Sequence, residues 1–236
     1  ARSCANLALI CDSAAFVSRR LLLDFLPLKL PSRYCFPGPS PPIMSTSNPS
    51  SPTSLRNAVI RLAGNSQDGI QSIGGFLARL AGRTQKDVMT YMTIPSTISG
   101  GPSIFQVHLG SGEVLDPGDE SDMLVAFYQH SYDAHLSSVR DGGICLYDSG
   151  EVTELKSERG IKNIGIPFTQ ATIEALGGSA RDRGKNMFVM GLLCAVYQLD
   201  KEKLVGIVSR QFGKKDESVL RNALLAFDAG YAYPIG

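Results

Sequence analysis

Between Arg56 and Tyr147, short β-branched apolar runs alternate with runs of helical spacing, and glycine-rich turns stand where each strand would end. A chain ordered this way folds as α/β around one open sheet. Asn57 to Ala63 reads as a buried strand. Asp68 to Ala81 carries Ile70, Ile73, Phe76, Leu77 and Leu80 at helical spacing, so the pair predicts strand, turn and helix. Val88 to Thr93 alternates like a strand, Ile94 to Gly101 is turn-rich, and Ser103 to Leu109 is strand again. Asp116-Pro117-Gly118-Asp119 is a strong turn. Met123 to Phe127 is a continuous apolar run suited to the middle of a sheet. A short helix is expected over Ser131 to Val139, a turn at Asp141-Gly142-Gly143, and strands at Ile144 to Tyr147 and Ile161 to Ile166. The remainder reads as helices over Thr169 to Leu176, Lys185 to Gln198, Lys201 to Phe212 and Asp216 to Tyr231. The fold expected is a three-layer α/β/α open sheet, Rossmann-like, in one domain.

With 236 residues, 43% of them hydrophobic and 19% charged, the chain can bury one good-sized core. A net charge of +1 gives no global field for nucleic acid or an anionic membrane, so any anion site must be local. No apolar run approaches the ~18 to 20 residues that span a bilayer. Cys4, Cys11, Cys35, Cys145 and Cys194 leave an odd thiol and show no CxxC spacing, which points to a reducing compartment without structural zinc or a cysteine-held iron–sulfur cluster. Cys145 and Cys194 sit in apolar runs and read as core. A cytoplasmic location is expected.

The first 43 residues contain no methionine and lead into a Ser/Pro-rich stretch in which neither helix nor strand finds a regular start. Their arginines and serines would suit an organelle transit peptide, but sequence translated upstream of a start at Met44 is the preferred reading. Residues 1–54 are accordingly expected to be a disordered or non-native extension and linker, and residues 55–236 the domain. Expressing Met44 to Gly236 should then leave the melting temperature unchanged. A fall of several degrees would show that the segment packs on the core.

Gly64-Asn65-Ser66-Gln67-Asp68-Gly69 lies where the sheet hands the chain to a helix, and the free N–H groups of a helix start favour a phosphate or carboxylate. The spacing is GxxxxG, no acid ends the next strand near Met92 and Thr93, and no GK[ST] follows, so an NAD domain and a P-loop are disfavoured. The plainer reading gives Gly64 and Gly69 to the turn, with Gly74 and Gly75 letting the helix lie close on the sheet. In Ile98-Ser99-Gly100-Gly101-Pro102-Ser103, two glycines and a proline fix a particular backbone shape before a strand. An ordinary loop is the alternative. Gln129, following Phe127 and Tyr128 at a central strand end, is the best candidate there for a polar ligand contact. His130 and His135 point about 140° apart on a helix and read as surface histidines, not a metal pair. Arg181-Asp182-Arg183-Gly184-Lys185-Asn186-Met187 puts cations at a helix start, where they are disfavoured unless an anion is near; a solvated basic turn is the alternative. No GxSxG nucleophile appears.

The blocks NAVIRLAGNSQDGIQSIGGFLARLAG, MTYMTIPSTISGGPSIFQVHL and DMLVAFYQHSYDAHL, with the KNM opening and Gly191 of a later helix, resemble the gamma domain of 2-oxoacid:ferredoxin oxidoreductases. The version fused at the front of the 2-oxoglutarate-type alpha subunit is the most similar, over most of Arg56 to Tyr233. The resemblance implies oxidation of a 2-oxoacid with coenzyme A and reduction of ferredoxin. Thiamine diphosphate and iron–sulfur clusters are implied in other domains, with the remaining alpha-subunit domains and a beta subunit as partners. For this chain it implies no catalytic or metal residues, and a coenzyme A contact through Gly64, Gly69, Ser99, Gly100, Gly101, Gln129, Lys185 and Asn186. A free-standing nucleotide-binding module and a purely structural assembly domain remain alternatives.

Overall fold

The computed structural model describes residues 57–95, 100–178, 184–213 and 217–235. The extension and linker expected at residues 1–54, and Ile98, Ser99 and Arg181 to Arg183, lie outside the described residues. Six strands form one sheet: β1 (Asn57–Asn65), β2 (Asp87–Thr93), β3 (Pro102–Gly110), β4 (Ser121–Ala126), β5 (Val139–Asp148) and β6 (Lys162–Ile166). Their order is β2-β3-β1-β4-β5-β6. β1, β4, β5 and β6 run parallel, while β3 is antiparallel to both β1 and β2. The α/β expectation holds, with a mixed sheet.

The helices are α1 (Ile70–Arg83), α2 (Gln129–His135), α3 (Phe168–Ala175), α4 (Lys185–Val196), α5 (Lys201–Phe212) and α6 (Glu217–Tyr231). One sheet face, through Ile60, Leu62, Phe105, Val107, Val125 and Leu146, shares a core with α1, α3, α4, α5 and α6. The other, through Ala63, Leu124, Ala126 and Cys145, is covered by Tyr132 and Leu136 together with Val152 and Ile161 from the segment after β5. That second layer is thin, because α2 has only seven residues. Glycine decides how closely α1 lies on the sheet: a Cβ at Gly74 would stand 2.0 Å from the Phe105 ring. Gly75, paired with it in the sequence reading, has open space instead.

From Met187 to Cys194 every residue of α4 is buried, so this helix is packed on all sides. It meets α6 at two glycines. A Cβ at Gly191 would lie 2.1 Å from the Phe227 carbonyl oxygen, and one at Gly230 would lie 1.9 Å from that of Phe188. Burial pushes the Cys194 thiol up to about 11 and the Cys145 thiol up to about 12. Both are therefore expected to resist iodoacetamide in the native chain at about pH 8 and to react once it is unfolded. A thiol held protonated only when folded favours the fold fully below its unfolded pKa, and that contribution disappears as pH rises through the folded value. The melting temperature should accordingly decline between about pH 9 and pH 12. Rapid native labelling mapped to Cys145 would contradict this.

The helix expected over Ser131 to Val139 stops early. Tyr132, Leu136 and Val139 are all buried at a spacing that imitates a helix face, but Leu136–Ser138 is a 3-10 turn and Val139 already belongs to β5. The turn expected at Asp141 to Gly143 is absorbed into that strand as an irregularity: the pairing register shifts between Ser121 and Met123, with Gly142 at φ 70°. Glycine at that position lets the strand bulge without ending.

Candidate functional site

Because β3 enters the sheet at the edge where β1 and β4 leave it, the expected loops meet there. Asn65 pairs with Pro102, and the Phe127 N–H donates to the Ala63 carbonyl at 3.0 Å. The first loop, Gly64 to Gly69, is tied to the second by the Ser66 N–H, which donates to the Gly101 carbonyl at 3.1 Å. Gly100 has φ 75° and lies under the Gln67 side chain, which a Cβ would meet at 3.2 Å. Gly64 is close on Phe127 at 3.2 Å by the same measure. Gly69, at φ 74°, ends the 3-10 turn Ser66–Asp68, and any Cβ there would stand 2.6 Å from Asn186 Nδ2. Asn186 thus reaches the first loop from the start of α4.

Asp68 locks this arrangement. Its carboxylate accepts from the Asn65 N–H at 2.7 Å and from the Tyr128 hydroxyl at 2.8 Å. Burial first, and then the bond to Asp68, raises the Tyr128 pKa, so this phenol stays a donor. Lys185 is buried beside it, with Nζ 4.8 Å from the Tyr128 ring centroid, 5.5 Å from that of Phe127 and 3.8 Å from Asp148 Oδ2. Asp148, fully buried at the end of β5, also accepts from Thr169 Oγ1 at 2.9 Å, the Thr169 N–H at 3.3 Å and the Gly150 N–H at 3.2 Å. The Lys185 ammonium is therefore engaged inside the domain, and what this edge presents is mainly backbone with Gln67, Asn186 and Tyr128.

Gln129 is turned elsewhere. Its Oε1 accepts from the Thr153 and Glu154 N–H groups at 2.9 and 3.0 Å, and its Nε2 donates to the Glu154 carbonyl at 3.0 Å and to Asp133 at 3.2 Å. Its amide fastens the segment after β5. His130 is exposed, with its ring stacked on Tyr128, whereas His135 is half-buried and burial lowers its pKa. Among the described residues no three His, Cys, Asp or Glu side chains gather to hold a metal ion. No helix among them is long and apolar enough to cross a membrane. Six expected residues, Gly64, Gly69, Gly100, Gly101, Lys185 and Asn186, thus come together, while Ser99 and Arg183 lie outside the described residues. Sequence reasoning missed Asp148 and the Asp68–Tyr128 bond.

The sequence profile of the family described as "Pyruvate ferredoxin/flavodoxin oxidoreductase" matches residues 59–233. The 2-oxoglutarate oxidoreductase subunit KorA of Mycobacterium tuberculosis is 29% identical over an alignment of 208 residues that covers 76% of this chain and 31% of that protein. A solved 2-oxoglutarate:ferredoxin oxidoreductase from Magnetococcus marinus, with 2-oxoglutarate, coenzyme A and succinyl-CoA bound, superposes with a TM-score of 0.68 at 32% identity. That match covers 75% of this chain and 31% of the other. The gamma subunit of a keto/oxoacid ferredoxin oxidoreductase from Geobacter sulfurreducens shares the fold, with a TM-score of 0.62 at 22% identity, over 74% of this chain and 94% of that subunit. The chain spans about a third of the length of KorA and of the Magnetococcus enzyme chain, and nearly all of the Geobacter gamma subunit. With its profile matched from the first strand to beyond the last helix, the chain belongs to the pyruvate ferredoxin/flavodoxin oxidoreductase family, as a gamma-type domain.

Proposed function

We propose that this chain is the gamma-type portion of the alpha subunit of a 2-oxoacid:ferredoxin oxidoreductase. In the assembled enzyme it supports coenzyme A-dependent oxidative decarboxylation of a 2-oxoacid, 2-oxoglutarate, while ferredoxin receives the electrons elsewhere. Thiamine diphosphate and the iron–sulfur clusters belong to other domains. Among the described residues, Cys145 and Cys194 are both buried in the core and do not fit a cluster, and no chemical step is assigned to this chain. Residues 55–236 act as one domain.

The observation that carries this reading is the meeting of the Gly64–Gly69 loop, Gly100–Gly101 and the start of α4 at one sheet edge. The glycines let Phe127, Asn186 and Gln67 close on these turns, and the backbone and amide donors so gathered suit the phosphates and amides of coenzyme A. In the assembled enzyme, Gly101→Val should raise the KM for coenzyme A by about tenfold or more while leaving that for the 2-oxoacid nearly unchanged. The purified chain alone should not decarboxylate 2-oxoglutarate, because activity requires the remaining alpha-subunit domains and a beta subunit. Activity of the chain alone would overturn the assignment. Equal effects of Gly101→Val on both substrates would leave a purely structural assembly role.

A further inference from the structure

β2 closes one end of the sheet, paired with β3 on one side in an unbroken register from Asp87↔Gly110 to Thr93↔Ile104. Among the described residues no strand pairs with its other side, which leaves a row of backbone N–H and C=O groups there. Natural sheet edges are usually protected by lysine, proline, a bulge or an inward charge. Within β2, Asp87–Thr93, the one charged residue is Asp87 at its first position and no proline occurs, Pro95 following only after Ile94, and the pairing carries no register shift. It is also apolar on both faces. Tyr91, opposite Gln106, and Met92, opposite Phe105, point to different sides of the sheet, and each is 50% exposed, with Ile94 at 68%.

We infer that β2 is an assembly edge whose occupant is the β2 of a second copy of this chain, added antiparallel across a two-fold axis at Thr90 to make one continuous twelve-stranded sheet. The strand is complementary to itself in that register. Val88 faces the second copy's Met92 and Met89 faces its Tyr91, so apolar side chains pair on both faces and Thr90 meets Thr90 at the axis. The charges, Lys86 and Asp87, fall at the outer ends, where Asp87 meets Thr93 and not a like charge. A net charge of +1 per chain adds little repulsion between copies. The inference does not depend on the coenzyme A reading, which concerns other residues.

Sedimentation velocity of the full chain from about 1 to 200 µM should show a monomer–dimer equilibrium. Met92→Lys should raise the dissociation constant by about tenfold or more without changing the melting temperature of the monomer, read well below the dissociation constant, because the side chain is half in solvent. Leu115→Lys, at a residue exposed outside the strands, should leave the dimer unchanged. Directly opposed residues of an antiparallel pair have Cα atoms about 4.5 to 5.5 Å apart, within disulfide range. Thr90→Cys, in a chain that also carries Cys4→Ser, Cys11→Ser and Cys35→Ser, should therefore oxidise to a dimer linked through position 90. A chain monomeric at every concentration, or a dimer insensitive to Met92→Lys and without the 90–90 link, would overturn the proposal. So would a monomer whose β2 amides become protected from exchange only when another subunit binds, because the edge would then belong to that subunit.

Discussion

Gly230→Ala should lower the melting temperature by about 10 °C or more, although it only adds one methyl group to a helix and improves helix propensity. The methyl would point at backbone, since its ideal position is 1.9 Å from the Phe188 carbonyl oxygen of α4, and no rotamer change can relieve that. The helices would have to part by about 1 Å or more. α4 is buried from Met187 to Cys194, so parting strips contacts from much of the larger core. Overpacking typically costs ~1–3 kcal/mol, and a backbone collision on a fully enclosed helix belongs at the upper end or beyond. Gly191→Ala meets the Phe227 carbonyl at 2.1 Å and should behave alike. The double variant should be less destabilised than the sum of the two, by about 1 kcal/mol or more, because one separation makes room for both methyls. Thermal and urea unfolding of the four proteins would measure this; additive effects would mean that the two contacts yield independently.

Asp148→Ala is expected to cost about 3–5 kcal/mol, the range for removing one partner of a buried ion pair. The loss leaves the Lys185 ammonium inside the protein against the faces of Phe127 and Tyr128, and also deprives Thr169 and Gly150 of their acceptor. Lys185→Met should be milder, about 1–2 kcal/mol, because the apolar stem is replaced and Asp148 keeps three donors. The decisive comparison is the double variant: adding Lys185→Met to Asp148→Ala should recover stability, since it removes the orphaned charge. A double variant less stable than Asp148→Ala alone would show that the ammonium has another partner.

Both pairs explain what could be read in advance. The turn from β1 into α1 was legible because Gly64, Gly69 and the spacing of Ile70, Ile73, Phe76, Leu77 and Leu80 act locally. That the loops would share an edge followed from α/β topology, and Lys185 and Asn186 arrived there with α4. Their chemistry was less visible. Asp148, followed by Ser149 and Gly150, looks like a turn residue until α3 and α4 enclose it. The Asp68–Tyr128 bond joins residues 60 apart. Gln129 stood at the expected strand end, but its side chain was claimed by backbone groups of Thr153 and Glu154, which carry no sequence signal of their own. Gly191 and Gly230, 39 residues apart on two helices, gave no hint that they face one another.

The enclosure of α4 also bears on kinetics. The helix that brings Lys185 and Asn186 to the loop edge cannot slide or turn without opening the core, and Asp68 fixes the first loop from two sides. Among the described residues, a ligand at that edge would meet α4 and the first loop already held in place, with little reorganisation of either. Substitutions there should consequently change residence time far more than the rate of encounter.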